Sequence, residues 1–178
     1  MDEQTLEAAK RGDRRAQATL IRDLQDVWYR FSLSQLGNAD LAADAAQETA
    51  LRFLRDLKSF RGASSLKTWS LGISINVVRE LRRKRKLGGP GELGDQADES
   101  PSPVDAANTG EQVSQLRVLL ADLPERQRES IILRFFENLS VDETAKAMNV
   151  APGTIKATIH QALRSLKTKM SRGRDLSS

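Results

Sequence analysis

A chain of 178 residues has room for one medium domain or two small ones. With 4% aromatics, 29% charged residues, no cysteine and one histidine, it excludes a large aromatic β core, disulfides, thiolate sites and His-cluster metal centres. The net charge of +4 is unevenly spread: residues 1–86 carry 17 Lys and Arg against 11 Asp and Glu, 87–115 none against six, and 116–178 carry 11 against seven.

Two basic blocks thus flank an acidic one. Such blocks suit a polyanion, because each phosphate contact releases a condensed counterion; ordinary solvated helix faces are the alternative. The N-terminal MDEQTLEAAKRGD has no apolar signal-peptide core, and no apolar run approaches the roughly 20 residues that cross a bilayer. The expectation is a cytoplasmic, soluble protein without membrane insertion.

The first block reads as helices. Leu6 to Arg11 forms a short one, and Gly12-Asp13 supplies a break and an N-cap. From Ala16, the positions Leu20, Leu24, Val27, Phe31 and, less regularly, Leu36 recur near helical spacing until Gly37-Asn38 stops them. Asp40 is the expected cap of the next helix, whose stripe is Leu41, Ala45, Thr49, Phe53, Leu54 and Leu57. A loop from Phe60 to Ser65 ends in a serine cap. Leu66, Trp69, Ile73, Val77 and Leu81 then continue at steps of three and four, and the helix runs out into RELRRKRK. Trp69 lies on that apolar stripe and reads as core rather than as a stacking platform. Ser70, Gly72 and Ser74 are small residues that lower helix propensity and fit close packing.

Residues 87–111, rich in Gly, Pro, Asp and Ser, lack apolar periodicity and read as a flexible linker. The fold class expected is all-α, with helical domains at 1–86 and 112–178. The second domain has helices near 112–121, 124–137, 140–148 and 152–171. Pro124 and Pro152 fall where a first helical residue belongs, Ser140 and Glu143 form a capping box, and Val150 to Gly153 makes a tight turn. A short helix, a turn and a longer helix is the helix-turn-helix pattern.

Signals for catalysis are missing. There is no phosphate-binding glycine loop, no HExxH and no GxSxG, and Asp142-Glu143 is explained by capping and the helix dipole. An enzyme, a cofactor and a metal are not expected. On the last helix, Ile155, Ile159, Ala162, Leu163 and Leu166 share the inward face. Lys156, Ala157, His160, Gln161 and Arg164 occupy the other side, placed to meet bases and phosphates in a major groove; His160 as a plain surface residue is the alternative.

The segment DLPERQRESIILRFFENLSVDETAKAMNVAPGTIKATIHQALRSL, from Asp122, resembles the fourth conserved region of bacterial RNA polymerase sigma factors. DAAQETALRFLRDLKSFRGASSLKTWSLGISINVVRELRRKRK, from Asp44, resembles their second region. Their order and spacing are similar to the compact extracytoplasmic-function (ECF) group. The resemblance implies a protein that binds core RNA polymerase and directs it to promoter DNA, under an anti-sigma factor or another regulator. It assigns polymerase binding to Asp44, Gln47, Glu48, Leu51 and Arg52. From the residues alone these are also a helix surface with an i,i+4 pair, Glu48–Arg52. It assigns capture of a flipped minus-10 base to Phe60, Arg61, Gly62, Ser64 and Asn76. A base turned out of the stack needs polar groups for its edge and a wall to stack on. Asn76 stands among Ile73, Ile75, Val77 and Val78, so a polar partner is expected for it. Arg79, Arg82, Arg83, Lys84, Arg85 and Lys86 suit phosphate contacts without sequence information.

Minus-35 reading falls to Thr154, Lys156, Ala157, His160, Gln161 and Arg164. Many family members carry a pattern like GTVKSRLHRAR in this helix, and here Thr158, Gln161 and Leu163 replace usual arginines. Each lost phosphate contact flattens the salt dependence by a slope of about 0.9, while Gln161 has the groups to read an adenine. Two other readings compete: a stand-alone helix-turn-helix regulator, and a sigma-like interaction protein that reads no promoter.

Overall fold

Local chemistry sets the helix boundaries in the computed structural model, which describes residues 2–87 and 118–175. Asp2 caps α1 (Glu3–Lys10), its carboxylate accepting from the Gln4 and Thr5 amides at 3.2 and 3.3 Å. Asp13 caps α2 (Arg14–Leu36), accepting from the Ala16 amide at 2.8 Å, and Gly37 ends it in the left-handed region at φ 67°. The cap of α3 (Ala39–Asp56) is Asn38, which accepts from the Leu41 amide at 2.9 Å, rather than the expected Asp40. Asp40 sits inside the first turn, where its charge faces the positive end of the helix dipole. A 3-10 turn, Leu57–Ser59, leads to the loop, and the Ser65 hydroxyl accepts from the Thr68 amide at the start of α4 (Leu66–Leu87).

The C-terminal unit begins with a helical stretch over 118–121, followed by α5 (Glu125–Ile131), α6 (Val141–Met148) and α7 (Pro152–Asp175). No strand occurs among the described residues. The expected linker 87–111, beyond Leu87, and residues 112–117 of the expected helix lie outside them. Pro124 precedes its helix with an extended ψ of 143° instead of opening it. The helix expected over 124–137 turns π-helical at Ile132–Phe136, with the Glu137 amide donating to the Ile132 carbonyl at 3.0 Å. That extra residue in the turn keeps Ile132 and Leu133 buried while Phe135 and Phe136 both reach solvent, at 49% and 50% exposure. The capping box of Ser140 and Glu143 is present at α6, and its two Ser140 hydrogen bonds hold the Glu143 carboxyl below its usual range. The turn into α7 is made by Asn149 at φ 53°; Gly153 is already helical.

Two apolar clusters hold the fold. In one, Trp28 is fully buried among Leu20, Leu24, Phe53 and Leu57, and its indole N–H donates to the Ser70 hydroxyl at 3.0 Å. Trp69 packs at the edge of this cluster, 5.6 Å from Phe53 and 5.2 Å from Phe60 between ring centroids, as its place on the stripe implies. The other cluster runs through both units, from Phe31, Leu71, Ile75 and Val78 to Ile131, Leu133, Met148 and Ile155. The small residues of α4 have separate uses. Ser70 receives Trp28, and Gly72 lets the Ala147 backbone approach so closely that a Cβ there would lie 3.2 Å from its carbonyl oxygen.

Candidate polymerase and promoter interfaces

Three surfaces carry the expected functional residues. On α3, Asp44, Gln47 and Leu51 are exposed and Glu48 is half-buried, so they form one accessible face. Leu51 stands out at 66% exposure, a large apolar side chain with no cover in the fold. Arg52 does not share that freedom. Its guanidinium donates to Glu48 at 2.6 Å and grips Glu80 of α4 in a two-pronged pair, both bonds 2.8 Å. The bonds to Glu80 and Glu48 hold Arg52 protonated and pull the Glu80 carboxyl below its usual range. Arg52 therefore braces α3 against α4, a cross-helix contact that sequence spacing does not reveal.

At the second surface, the loop after α3 places Arg61 and Gly62 in solvent and Ser64 half-buried, with Gly62 at φ 74°. Phe60 is turned inward instead, 7% exposed against Trp69 with Lys10 over its ring. Asn76 is exposed, so it does not need the buried polar partner its apolar neighbours suggest; Ile75, Val77 and Val78 are buried, while Ile73 lies half-buried beside Asn76. It borders two grooves. One, of about 400 Å³, is lined by Arg52, Arg55, Arg79 and Arg83 with Asp56 and Glu80. The other, of about 480 Å³, lies between α4 and the C-terminal unit, with Ser64 and Trp69 on one wall and Lys146 and Asn149 on the other.

The basic run divides at its middle. Arg83, Lys84, Arg85 and Lys86 are exposed. Arg79 forms a two-pronged pair with Glu129 of α5, at 2.9 and 2.5 Å, and Arg82 meets Glu125 at 3.1 Å. Arg82 also donates to the Gln35 carbonyl, and Arg128 donates to the Gln35 side chain at 3.2 Å. Burial, with Arg82 nearby, pushes the Arg128 guanidinium below its ordinary range. Further along the seam, Lys67 pairs with Glu137 at 3.1 Å, and Lys146 donates to the Ala63 carbonyl at 2.6 Å. None of these inter-unit pairs is legible in the sequence, because their partners lie from 43 positions apart, for Arg82 and Glu125, to 93, for Gln35 and Arg128.

On α7, the third surface, Thr154, Lys156, Ala157, His160, Gln161 and Arg164 are all exposed, while Ile155 and Ala162 are buried and Ile159 and Leu166 half-buried. Leu163 departs from the expected inward face and is 47% exposed. At 3.6 residues per turn it lies roughly 80° around the helix from Ile155, on the flank beside Lys156. The exposed face is continuous, amphipathic and free of acidic residues, as a groove-reading helix requires. No helix among the described residues is long and apolar enough to cross a membrane, and no cluster there has the ligands for a metal ion.

Comparison with known proteins matches the same two blocks. Residues 20–87 match the family model "Sigma-70 region 2" and residues 114–166 match "Sigma-70, region 4". The chain is 32% identical to the ECF RNA polymerase sigma factor SigX of Bacillus subtilis over 82% of this chain and 78% of that one. It is 35% identical to EcfG of Rhodopseudomonas palustris, over 74% and 72% respectively. Its fold is that of the sigma factor RpoE of Bartonella quintana, solved with the anti-sigma factor NepR, at TM-score 0.71 and 24% identity over 89% of this chain and 97% of that one. CnrH, solved with the cytosolic domain of CnrY, gives TM-score 0.70 at 18% identity over 94% and 96%. Matched from α2 to α7 by both conserved regions in their family order, the chain belongs to the ECF group of RNA polymerase sigma factors.

Proposed function

We propose that this sigma factor, a non-enzymatic initiation factor, divides its work among the three surfaces. The α3 face around Leu51 docks on core RNA polymerase. The loop from Arg61 to Ser64, with Asn76, holds a base of the melted minus-10 element. The exposed face of α7 reads the minus-35 element. The observation that carries this reading is the simultaneous exposure of the α3 face and the α7 face on one chain that belongs to the family. A stand-alone DNA-binding regulator has no use for the first of them. The protein acts in the cytoplasm, and the anti-sigma partners of its structural relatives support control by a protein of that class.

Two substitutions test the DNA-facing roles. Lys156→Ala removes one phosphate contact, so the slope of log affinity against log salt for promoter DNA falls by about 0.9. A slope equal to that of the parent protein contradicts the contact. Asn76→Ala leaves closed-complex binding within about twofold and slows open-complex formation at least about tenfold, because unstacking a base costs a few kcal/mol that a base pocket offsets. Equal losses in both steps contradict a base-holding role. Permanganate footprinting beside filter binding separates the two.

A further inference from the structure

Phe60 stands at the root of the loop that leads to Ser64, and its ring has a partner on two sides. One is Trp69, 5.2 Å away between ring centroids, which itself borders the groove shared by Ser64 and Asn76. The other is Lys10 of α1, whose ammonium sits 5.6 Å from the ring centroid, within range of a cation–π contact. Lys10 is itself held in place. Its ammonium pairs with Glu7 at 2.9 Å. The end of α1 that carries it is fixed by two hydrogen bonds of 3.1 Å, from the Gln17 side-chain amide to the Ala9 carbonyl and from the Asp13 backbone amide to the Ala8 carbonyl. Phe60 donates its backbone amide to the Leu57 carbonyl at 3.1 Å, which ties the ring to the 3-10 turn. Beyond it, Arg61, Gly62 and Ala63 are exposed and take little rigidity from the core.

We propose that Lys10 is a positioning residue for minus-10 capture: its ammonium, set over the Phe60 ring, holds the root of the loop so that Arg61 to Ser64 meet the base beside Asn76. The proposal rests on the minus-10 reading given above. It gives α1 a part in promoter opening, although none of the residues assigned to polymerase or DNA lies on that helix. Two ordinary roles compete for Lys10. A lysine in the last turn suits the helix dipole, and its i,i+3 pair with Glu7 steadies α1, which are contributions to stability alone. A direct phosphate contact is the other, and it acts through charge without regard to any base. The three roles leave different signatures.

The test uses the full chain assembled with core RNA polymerase. Promoter duplexes carry an abasic site at each non-template position of the minus-10 element in turn, and the position that slows opening by the parent most marks the captured base. The readout is the ratio of opening rates with and without that base, in which general losses of stability or docking cancel. Lys10→Met keeps the stem of the side chain and removes the cation. Lys10→Arg keeps a cation over the ring. Lys58→Met, the control, removes an exposed cation from the 3-10 turn beside the loop. A cation–π contact at the protein surface corresponds to an effect of about two- to fivefold, so Lys10→Met is expected to lower the ratio by about that factor. Lys10→Arg and Lys58→Met are expected to keep the ratio of the parent. Phe60→Leu lowers it too, and adding Lys10→Met to Phe60→Leu lowers it no further, because both changes remove one contact. The slope of log affinity against log salt stays that of the parent. A slope that falls by about 0.7 marks a contact with a single-strand phosphate instead and overturns the proposal. An unchanged ratio in Lys10→Met overturns it as well, as does an equal loss in Lys58→Met or in Lys10→Arg. Circular dichroism identifies a variant that fails to fold, and Lys10→Gln then takes the place of the methionine. If no abasic position slows the parent, the minus-10 reading fails and the proposal with it; if the parent responds and Lys10→Met matches it, only the role of Lys10 falls.

Discussion

Leu51→Asp is expected to weaken binding to core RNA polymerase at least about thirtyfold, the effect of losing an interface hot spot worth about 2 kcal/mol. Leu51 is 66% exposed in the free chain, so its loss costs the fold almost nothing. In a docked complex it would be the apolar centre of a polar rim made by Asp44, Gln47 and Glu48. Aspartate there removes the apolar contact and adds a carboxylate that must shed water. Titration of labelled protein into core polymerase reads the affinity, and thermal unfolding of the same sample confirms an intact fold. Unchanged affinity would move the docking surface away from α3.

Trp28→Ala is expected to destabilise the N-terminal unit by about 3–5 kcal/mol, the range for emptying an aromatic site in a core. Against a total of roughly 5–15 kcal/mol for a domain, that threatens folding at growth temperature. Trp28 is fully buried, its ring centroid is 5.3 Å from that of Phe53, and its N–H donates to Ser70. The alanine leaves a cavity between α2, α3 and α4 and removes a buried hydrogen bond. Trp28→Phe refills most of the space but not the bond, so it is expected to cost about 1–2 kcal/mol. Urea unfolding followed by circular dichroism checks both. A cost below about 1 kcal/mol for the alanine would show that this cluster does not hold the three helices together.

Much of this architecture is legible before any coordinates. Periodicity places α2, α3 and α4, and the capping box at Ser140 and the exposed face of α7 lie where residue type and spacing put them. Shorter-range errors have physical causes. Asn38 outcompetes Asp40 as a cap because its side chain reaches the Leu41 amide from just outside the helix. The π turn at Ile132–Phe136 leaves no composition signal, since the sequence there reads as a continuous helix. Leu163 is apolar, but its angle on the helix takes it off the buried stripe. Phe60 has the aromatic ring a base would stack on, and the core of α1, α3 and α4 uses that ring instead. The pairs of Arg79 with Glu129 and Arg82 with Glu125 are set by tertiary packing, which charge patterning along the chain does not encode. They engage two cations of the basic run, Arg79 and Arg82, within the protein itself.

The exposed face of α7 is lightly charged, with Lys156 and Arg164 beside His160 and Gln161. On the proposed reading its share of promoter affinity is modest, and polymerase and the exposed cations Arg83 to Lys86 are expected to supply the rest. Run-off transcription with purified core RNA polymerase, this chain and fragments of its own genome asks whether the chain directs polymerase to promoters. Transcripts that depend on the added chain are expected, with start sites sharing two upstream elements at constant spacing. Polymerase activity unaltered by the chain, or starts without a shared element, would contradict it.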